Sequence, residues 1–213
     1  MAREPIGTDR SSVAPRDAAG TRAATARVAS SRDEVDRADL AAVVEGDRLA
    51  LARLYDRHRD AMFGFVLRTS GWDRGLAEEV LQDTLLAVWQ HAGSFGGQAQ
   101  VRTWMYSIAR RKALSKLRKR QPEPIDPDAA RRGADEARSA DDEALARLDA
   151  HVLSGLIDQL PEPMRTVLVL AFVDDLPYQE IGEIMDVPVG TIKSRVSRAR
   201  VTLTELATRA GWR

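Results

Sequence analysis

Apolar residues recur every three or four positions in several stretches of the chain, the spacing of one face of a helix. No stretch shows the alternation of apolar and polar residues that marks a strand. Asp47 and Asp73 each precede such a stretch, and a short acidic side chain there favours a helix N-terminus. A third stretch runs over Val101–Arg120. The pattern therefore predicts three amphipathic helices between residues 47 and 120.

A glycine-rich segment, Gly93–Gln100, separates the second and third of these helices and is predicted to be a flexible loop. Beyond Arg120, prolines at positions 122, 124 and 127 end the helical pattern, and the charged segment after them is predicted to be a linker. Helical spacing returns near residue 145. It predicts one helix that ends before Pro161 and an apolar helix over Met164–Phe172.

The segment Leu176–Arg200 has the pattern of two helices joined by a short turn, in which Gly190 is expected to be a backbone requirement. The first helix is expected to bury Ile181, Ile184 and Met185, and the second to bury Ile192, Val196, Ala199 and Leu203. The opposite face of the second helix is polar and basic. Such a helix suits the major groove of DNA, so the candidates for base and phosphate contacts are Thr191, Lys193, Ser194, Arg195 and Arg198.

These elements define an all-α fold with two small helical domains joined by a flexible linker, the C-terminal one a helix-turn-helix. Residues 1–44 have almost no large apolar side chain before Val35, so they bury too little surface to offset the entropy lost on ordering. We therefore expect a disordered tail over residues 1–44, a first domain over 45–120, a linker over 121–144 and a second domain over 145–213.

Composition excludes several classes of function. The 213 residues contain no cysteine, which rules out disulfides and thiolate chemistry, and the three histidines are too far apart along the chain to favour a metal site. No glycine-rich phosphate loop and no nucleophile with a base is present, so neither an enzyme nor a bound cofactor is expected. No apolar run approaches the ~18 residues of a membrane span, and no targeting segment is expected, which favours a cytoplasmic location.

The net charge is zero, but the charges are segregated along the chain. Val101–Arg120 contains eight lysines and arginines and no acidic residue, whereas Gln121–Asp149 contains nine acidic residues and four arginines. Like charges in one helix repel one another unless an anion compensates them, and DNA is such an anion. The basic helix Val101–Arg120 is therefore a second candidate surface for nucleic acid. Each phosphate that it neutralises is expected to steepen the slope of log binding constant against log salt concentration by roughly 0.9.

Three motifs in order resemble the extracytoplasmic-function (ECF) sigma factors, the smallest members of the sigma-70 family. They are Ala77–Leu85, Trp104–Arg110 and the block from Leu160 to Arg200, and the resemblance extends from about residue 47 to about residue 207. It implies a bacterial transcription-initiation subunit without catalysis of its own. The implied partners are core RNA polymerase, promoter DNA and an anti-sigma factor that hides the DNA-binding surfaces.

The resemblance also implies site residues. Glu79, Gln82 and Asp83 share one helix face and match the polymerase contact of the family, to which Leu86 adds an apolar contact. In the family, the loop before the basic helix captures a base that leaves the -10 element, which corresponds here to Gly93–Gln100. The implied contacts to the -10 element are Phe95, Gln98, Arg102, Arg110, Arg111, Ser115 and Arg118, and the -35 element falls to the helix-turn-helix.

The basic helix departs from the family at two positions, where Arg111 stands in place of the common Asn and Ser115 in place of the common Asp. Both changes bear on the -10 preference. Two alternatives stay open at this point. One is a transcription regulator that uses only the helix-turn-helix, and the other is a decoy that binds an anti-sigma factor without initiating transcription.

Overall fold

The computed structural model describes residues 18–120 and 153–211, with side chains from residue 30 onward in the first range. The predicted linker over residues 121–144 lies outside these ranges. Every regular element in the described ranges is helical. The N-terminal part consists of α1 (Ala18–Val44), α2 (Arg48–Thr69), α3 (Arg74–His91), a 3-10 turn (Ala92–Ser94) and α4 (Val101–Arg120).

The predicted starts of α2 and α3 are confirmed by their caps. Asp47 Oδ1 accepts hydrogen bonds from the backbone N–H groups of Leu49 (2.8 Å) and Ala50 (3.2 Å), and Asp73 Oδ1 accepts one from Leu76 N–H (2.8 Å). Each bond satisfies a backbone donor that has no partner inside the helix. The apolar stripes behind the caps are buried, including Leu54, Phe65 and Val66 of α2.

The prediction of a disordered tail was wrong for its second half, where α1 extends over Ala18–Val44. Leu40 and Val43 of α1 are buried in the core. Its acidic residues face α2, where Asp36 is 2 % exposed and accepts hydrogen bonds from Arg57 and from His58 Nε2 (2.8 Å). Composition did not indicate this helix, because α1 is held against α2 by paired charges rather than by a long apolar stripe. Residues 1–17 lie outside the described ranges.

The C-terminal part begins with a helical segment over residues 153–158 (α5), followed by α6 (Glu162–Leu168), which continues as a π-helical turn (Val169–Val173). The helix-turn-helix consists of α7 (Tyr178–Met185) and α8 (Val189–Arg209). A proline precedes each of α6, α7 and α8, a position that needs no backbone N–H. The predicted buried face of α8 is confirmed for Ile192, Val196 and Ala199, whereas Leu203, the fourth predicted residue, is half-buried.

The turn between α7 and α8 depends on a different glycine from the one expected. Gly190 lies within α8, and a Cβ added there would meet open space. Asp186 instead adopts the left-handed conformation (φ 56°) that ends α7. A Cβ at Gly182 would lie 2.9 Å from the carbonyl oxygen of Val187, so the close approach of the turn to α7 requires a glycine at position 182.

The helix α4 lies at the centre of the molecule, in contact with α1, α2 and α3 on one side and with α7 on the other. As a result, buried residues of both parts form one apolar cluster that includes Phe65, Met105 and Ala109 together with Leu170 and Ile181. A second cluster joins Leu160 and Leu168 to Ala199 of α8. The predicted two-part, all-helical architecture is therefore present, and its parts are packed face to face along α4.

Candidate functional sites

The outward face of α8 presents the residues predicted to contact the -35 element. Lys193, Ser194 and Arg198 are exposed, while Thr191 and Arg195 are half-buried. The Ser194 hydroxyl donates to the backbone carbonyl of Thr191 (2.9 Å). The first three turns of α8 therefore present a polar and basic surface that a DNA groove can approach.

The outward face of α3 contains the residues predicted to contact polymerase, but two of them are paired with α4. Lys116 Nζ lies 2.5 Å from Glu79 Oε1 and 2.8 Å from Asp83 Oδ2, which raises the pKa of the Lys116 ammonium. Arg120 Nη2 lies 3.3 Å from the other carboxylate oxygen of Glu79. Gln82 and Leu86 are exposed. The face is thus a mixed surface of paired carboxylates, a free amide and an apolar side chain.

The inference that α4 lacks a compensating anion was wrong, because it counted charges along the sequence. In the fold, Lys116 and Arg120 pair with α3, and Arg120 also reaches Asp73 Oδ2 (2.6 Å) at the start of that helix. Arg111 donates to the carbonyl of Ser107 (3.2 Å), one turn earlier. Ser115 is half-buried and Arg118 is exposed. No carboxylate in the described part of the chain pairs with Arg118.

Two further arginines of α4 are bound to carboxylates of the C-terminal part. Arg102 Nη2 and Thr103 Oγ1 both donate to Glu180 Oε2 of α7, each at 2.8 Å. Arg110 Nη2 donates to Glu162 Oε1 of α6 at 3.3 Å. Glu180 is 8 % exposed, so these are contacts within an interface rather than surface pairs. Arg102 and Arg110, both predicted to contact the -10 element, are covered by the other half of the molecule.

The same interface buries a carboxyl group beyond the π-helical turn. Burial raises the pKa of Asp174 to about 6, and the neighbouring Arg68, Tyr106 and Arg102 act in the opposite direction. The pKa of the Tyr106 hydroxyl is also raised, mainly by burial and then by the charge of Asp174. Asp174 therefore takes up a proton in a range where an ordinary carboxyl group is ionised.

The loop Gly93–Gln100 presents one of its two predicted base contacts and packs the other inward. Phe95 is half-buried, its ring 5.4 Å from the Trp104 ring and 5.3 Å from the Arg37 guanidinium carbon. Gln98 is exposed. Beside the loop, between α3 and α4, lies an open cavity of about 400 Å³ that is lined by Ala87, His91, Ser94, Trp104, Ile108, Arg111 and Lys112.

Sequence reasoning missed the groups on the facing elements. Glu162 and Glu180 stand in helix-start segments, where acidic residues are common for local reasons, so nothing along the chain connects them with α4. The spacing of Asp33, Asp36 and Asp39, three residues apart, is the one local signal that could have indicated an acidic helix face in the segment predicted to be disordered. Within the described ranges, no helix is long and apolar enough to cross a membrane, and no cluster of histidines and carboxylates has the make-up of a metal site.

Two family models match the two parts of the fold. Residues 54–123 match Sigma-70 region 2, and residues 151–203 match Sigma-70 region 4. The first match contains α3, the loop and α4, and the second contains α7 and α8 as far as Leu203. Together with the geometry of the two parts, these matches define a sigma-70 protein with regions 2 and 4.

Similar proteins show to which group of the sigma-70 family the chain belongs. The chain is 36 % identical over 178 residues to the ECF RNA polymerase sigma factor RpoE of Cereibacter sphaeroides. This alignment covers 78 % of the present chain and 94 % of the relative. It is 32 % identical over 170 residues to the ECF RNA polymerase sigma factor SigW of Bacillus subtilis, in an alignment that covers 76 % of this chain and 90 % of the relative. The chain belongs to the ECF group of the sigma-70 family, which is not a family of enzymes.

Two solved structures share the fold. CnrH in complex with the cytosolic domain of CnrY matches with a TM-score of 0.63 and 23 % identity, over 82 % of this chain and 98 % of that chain. The sigma factor RpoE of Bartonella quintana, in complex with the anti-sigma factor NepR, matches with a TM-score of 0.56 and 25 % identity, over 74 % and 96 %. CnrY and NepR are the partners of those two proteins.

Proposed function

We propose that this sigma factor directs core RNA polymerase to specific promoters by reading the -35 element with α8 and opening the -10 element with α4 and the loop before it. The observation that supports this most is that one chain combines an exposed basic recognition helix with an exposed α3 face in a second, separately matched region. A regulator that used only the helix-turn-helix would leave the region 2 part without a role. A cytoplasmic location accompanies this function.

For the -35 element, Arg195 and Lys193 are proposed to contact base edges, and Thr191, Ser194 and Arg198 to contact bases or phosphates. A bidentate contact from arginine to guanine discriminates by roughly 1–3 kcal/mol. Arg200, further along α8, lies with its guanidinium carbon 4.7 Å from the Phe172 ring centre, so it is occupied within the protein.

For polymerase, the proposed contacts are Glu79, Gln82, Asp83 and Leu86. The pairing of both carboxylates with Lys116 means that a basic group of polymerase must compete with an existing ion pair. Such exposed pairs contribute only about 0–1 kcal/mol, so competition is feasible. Gln82 and Leu86 need no rearrangement because they are exposed.

For the -10 element, we assign Gln98 and the exposed Arg111 and Arg118 to direct contact, and the cavity beside the loop to an extruded base, with Trp104 in its wall. Ser115 is assigned to the same surface. Phe95 is proposed to shape the loop by packing rather than to stack on the base. Arg102 and Arg110 become available to DNA only when Glu180 and Glu162 move away, so contacts from these two arginines require the two parts to separate.

The partner classes and domain limits follow from the same proposal. An anti-sigma factor is proposed because the structures of two similar proteins contain a bound partner, which for RpoE of Bartonella quintana is the anti-sigma factor NepR. The region 2 domain is proposed to include α1, whose side chains are bound to α2, and the region 4 domain to extend through α8.

The proposal is tested by separating the two surfaces with single substitutions. Arg195→Ala is expected to weaken binding to a -35 duplex about tenfold or more and to leave core polymerase binding intact, whereas Asp83→Ala is expected to do the reverse. Arg209→Ala, at the far end of α8, is the matched control for a lost exposed charge. Equal loss of both activities in both variants would contradict the assignment.

Transcription provides the second readout. The purified chain with core polymerase is expected to start transcription at defined promoters, which sequencing of RNA 5′ ends after overexpression identifies. Failure on every promoter of the source genome, with polymerase binding intact, would favour the decoy that binds an anti-sigma factor without initiating.

A further inference from the structure

The loop Gly93–Gln100 is held by a residue of α1. Arg37 Nη2 donates to the carbonyl oxygen of Ala99 at 2.7 Å, and Arg37 Nη1 donates to that of Gly97 at 3.2 Å. These two carbonyls flank Gln98, an exposed residue of the loop. One planar guanidinium therefore fixes the backbone on both sides of Gln98.

Asp33, one turn before Arg37 on α1, connects this contact to the start of α4. Asp33 Oδ2 accepts from Arg37 Nε at 2.6 Å, and Asp33 Oδ1 accepts from the backbone N–H of Val101, the first residue of α4, at 2.8 Å. The Asp33 side chain is 14 % exposed and the Arg37 side chain 39 % exposed, so the carboxylate is shielded from water more than the guanidinium is. Arg37 and Asp33 together thus hold both the end of the loop and the first residue of the basic helix α4 in place.

Two loop residues, Gly97 and Phe95, lie close to the Arg37 guanidinium. Gly97 has φ +71°, and a Cβ at this position would lie 3.3 Å from Arg37 Nη1, so glycine allows both the conformation and the close approach. The Phe95 ring lies between the Arg37 guanidinium and Trp104. By contrast, Arg53 bonds to Asp39 and links α1 only to α2.

We propose that Arg37, held by Asp33, is a positioning residue for the -10 element: it fixes the loop backbone so that Gln98 is presented to the DNA before the DNA arrives. The inference rests on the proposed function and adds a residue of α1 that neither the resemblance nor the proposed contact set contains. Because these contacts already order the loop backbone in the free protein, the ordering cost does not subtract from the affinity, and Gln98 is held in one geometry against which a base is read.

The test uses holoenzyme, assembled from the full chain and core polymerase, and a library of forked duplexes whose non-template strand is randomised over the -10 element. Sequencing of bound DNA gives the base preference at each position. Arg37→Ala is expected to reduce the strongest preference about tenfold, which corresponds to about 1.4 kcal/mol. Polymerase affinity is expected to stay unchanged. Arg37→Lys is expected to recover only part of the preference, because an ammonium group lacks the planar fork.

A double substitution distinguishes positioning from general support of the fold. If Arg37 acts through Gln98, then Gln98→Ala causes most of the loss alone, and adding Arg37→Ala lowers the preference little further. Additive losses would overturn the proposal. Arg53→Ala is the matched control, since it removes an arginine paired with another aspartate of α1. It is expected to keep the wild-type preference.

Three other results of this experiment would each contradict the proposed role of Arg37. A wild-type preference in Arg37→Ala overturns the proposal while the proposed function stands. Absence of any -10 preference in the wild-type holoenzyme refutes the proposed -10 role itself, and this inference with it. Should Arg37→Ala fail to fold, Gly97→Ala disturbs the same contact from the loop side. It is expected to flatten the same preference, and a wild-type preference in that variant overturns the proposal.

Discussion

Glu180→Gln is the substitution that most directly tests how the two parts of the molecule restrict DNA binding. Glu180 Oε2 accepts hydrogen bonds from Arg102 and Thr103, each at 2.8 Å, at the contact between α7 and α4. Glutamine has nearly the same shape and retains an acceptor oxygen, so the packing of the helices is preserved. The variant loses only the negative charge that faces Arg102.

The size of the effect can be worked out from the burial of the pair. A hydrogen bond to a charged group contributes about 1.5–3 kcal/mol and a neutral one about 0.5–1.5 kcal/mol. In the variant the Thr103 bond becomes a neutral one, whereas Arg102 keeps a charge-assisted bond and loses only its ion pair, which contributes little because the Arg102 side chain is 31 % exposed. Neutralising Glu180 is therefore expected to weaken the interface by about 1–2 kcal/mol. A change of about 1.4 kcal/mol shifts the equilibrium between closed and separated forms about tenfold.

The assay is binding of the free chain to a labelled forked duplex with a single-stranded -10 region, followed by fluorescence anisotropy at several salt concentrations. When the binding-competent form is a minor population, the apparent affinity rises in proportion to that population. Glu180→Gln is thus expected to bind up to about tenfold more tightly. The released Arg102 adds a phosphate contact, which steepens the log-log salt dependence by about 0.7 for a single strand.

Glu183→Gln is the matched control, since Glu183 is an exposed glutamate of the same helix with no ion pair among the described residues. It is expected to bind like the wild type. Equal affinities of the Glu180 and Glu183 variants, with both proteins folded, would refute the reasoning that the Arg102–Glu180 pair competes with DNA.

Two further predictions concern stability. Because burial raises the pKa of Asp174 from an ordinary 3.8 to about 6, the folded state binds a proton that the unfolded state has released, and the free energy of unfolding falls as pH rises from about 4 to about 6. Asp174→Asn is expected to remove this slope in thermal melts, and an unchanged slope would contradict the assignment. Gly182→Ala places a Cβ 2.9 Å from the Val187 carbonyl oxygen and is expected to cost about 1–3 kcal/mol in chemical denaturation, with -35 binding lost and core polymerase binding retained. Gly190→Ala, which meets open space, is the control and is expected to change the free energy of unfolding by less than about 1 kcal/mol.

The sequence was sufficient for the helices whose stability is local. Asp47 and Asp73 cap their helices as predicted, and Val101–Arg120 has the predicted bounds, because caps and apolar periodicity act within a few residues. The recognition helix was predictable for the same reason. Its burial pattern depends on one face and one neighbouring helix.

The parts that could not be predicted depend on contacts between residues far apart in the chain. Arg102 and Glu180 are separated by 78 positions, and Asp33 and Val101 by 68, so local spacing contains no trace of either contact. The helix α1 escaped prediction because composition measures apolar content, whereas α1 is attached partly by buried ion pairs such as Asp36 with Arg57. Counting charges along α4 failed for the same reason.

The basic charges of α4 consequently have three competing uses. Lys116 binds carboxylates of α3 that are proposed to contact polymerase, and Arg102 and Arg110 bind carboxylates of the C-terminal part, while DNA requires the same cations. On the proposed function, a polymerase group that takes over Asp83 leaves Lys116 paired with Glu79 alone and therefore more available to a phosphate. Linkage requires the effect to be reciprocal, so DNA that engages Lys116 also favours polymerase binding at Asp83. A chain of zero net charge can then bind DNA weakly alone and more strongly on polymerase, since the compensating acids are its own.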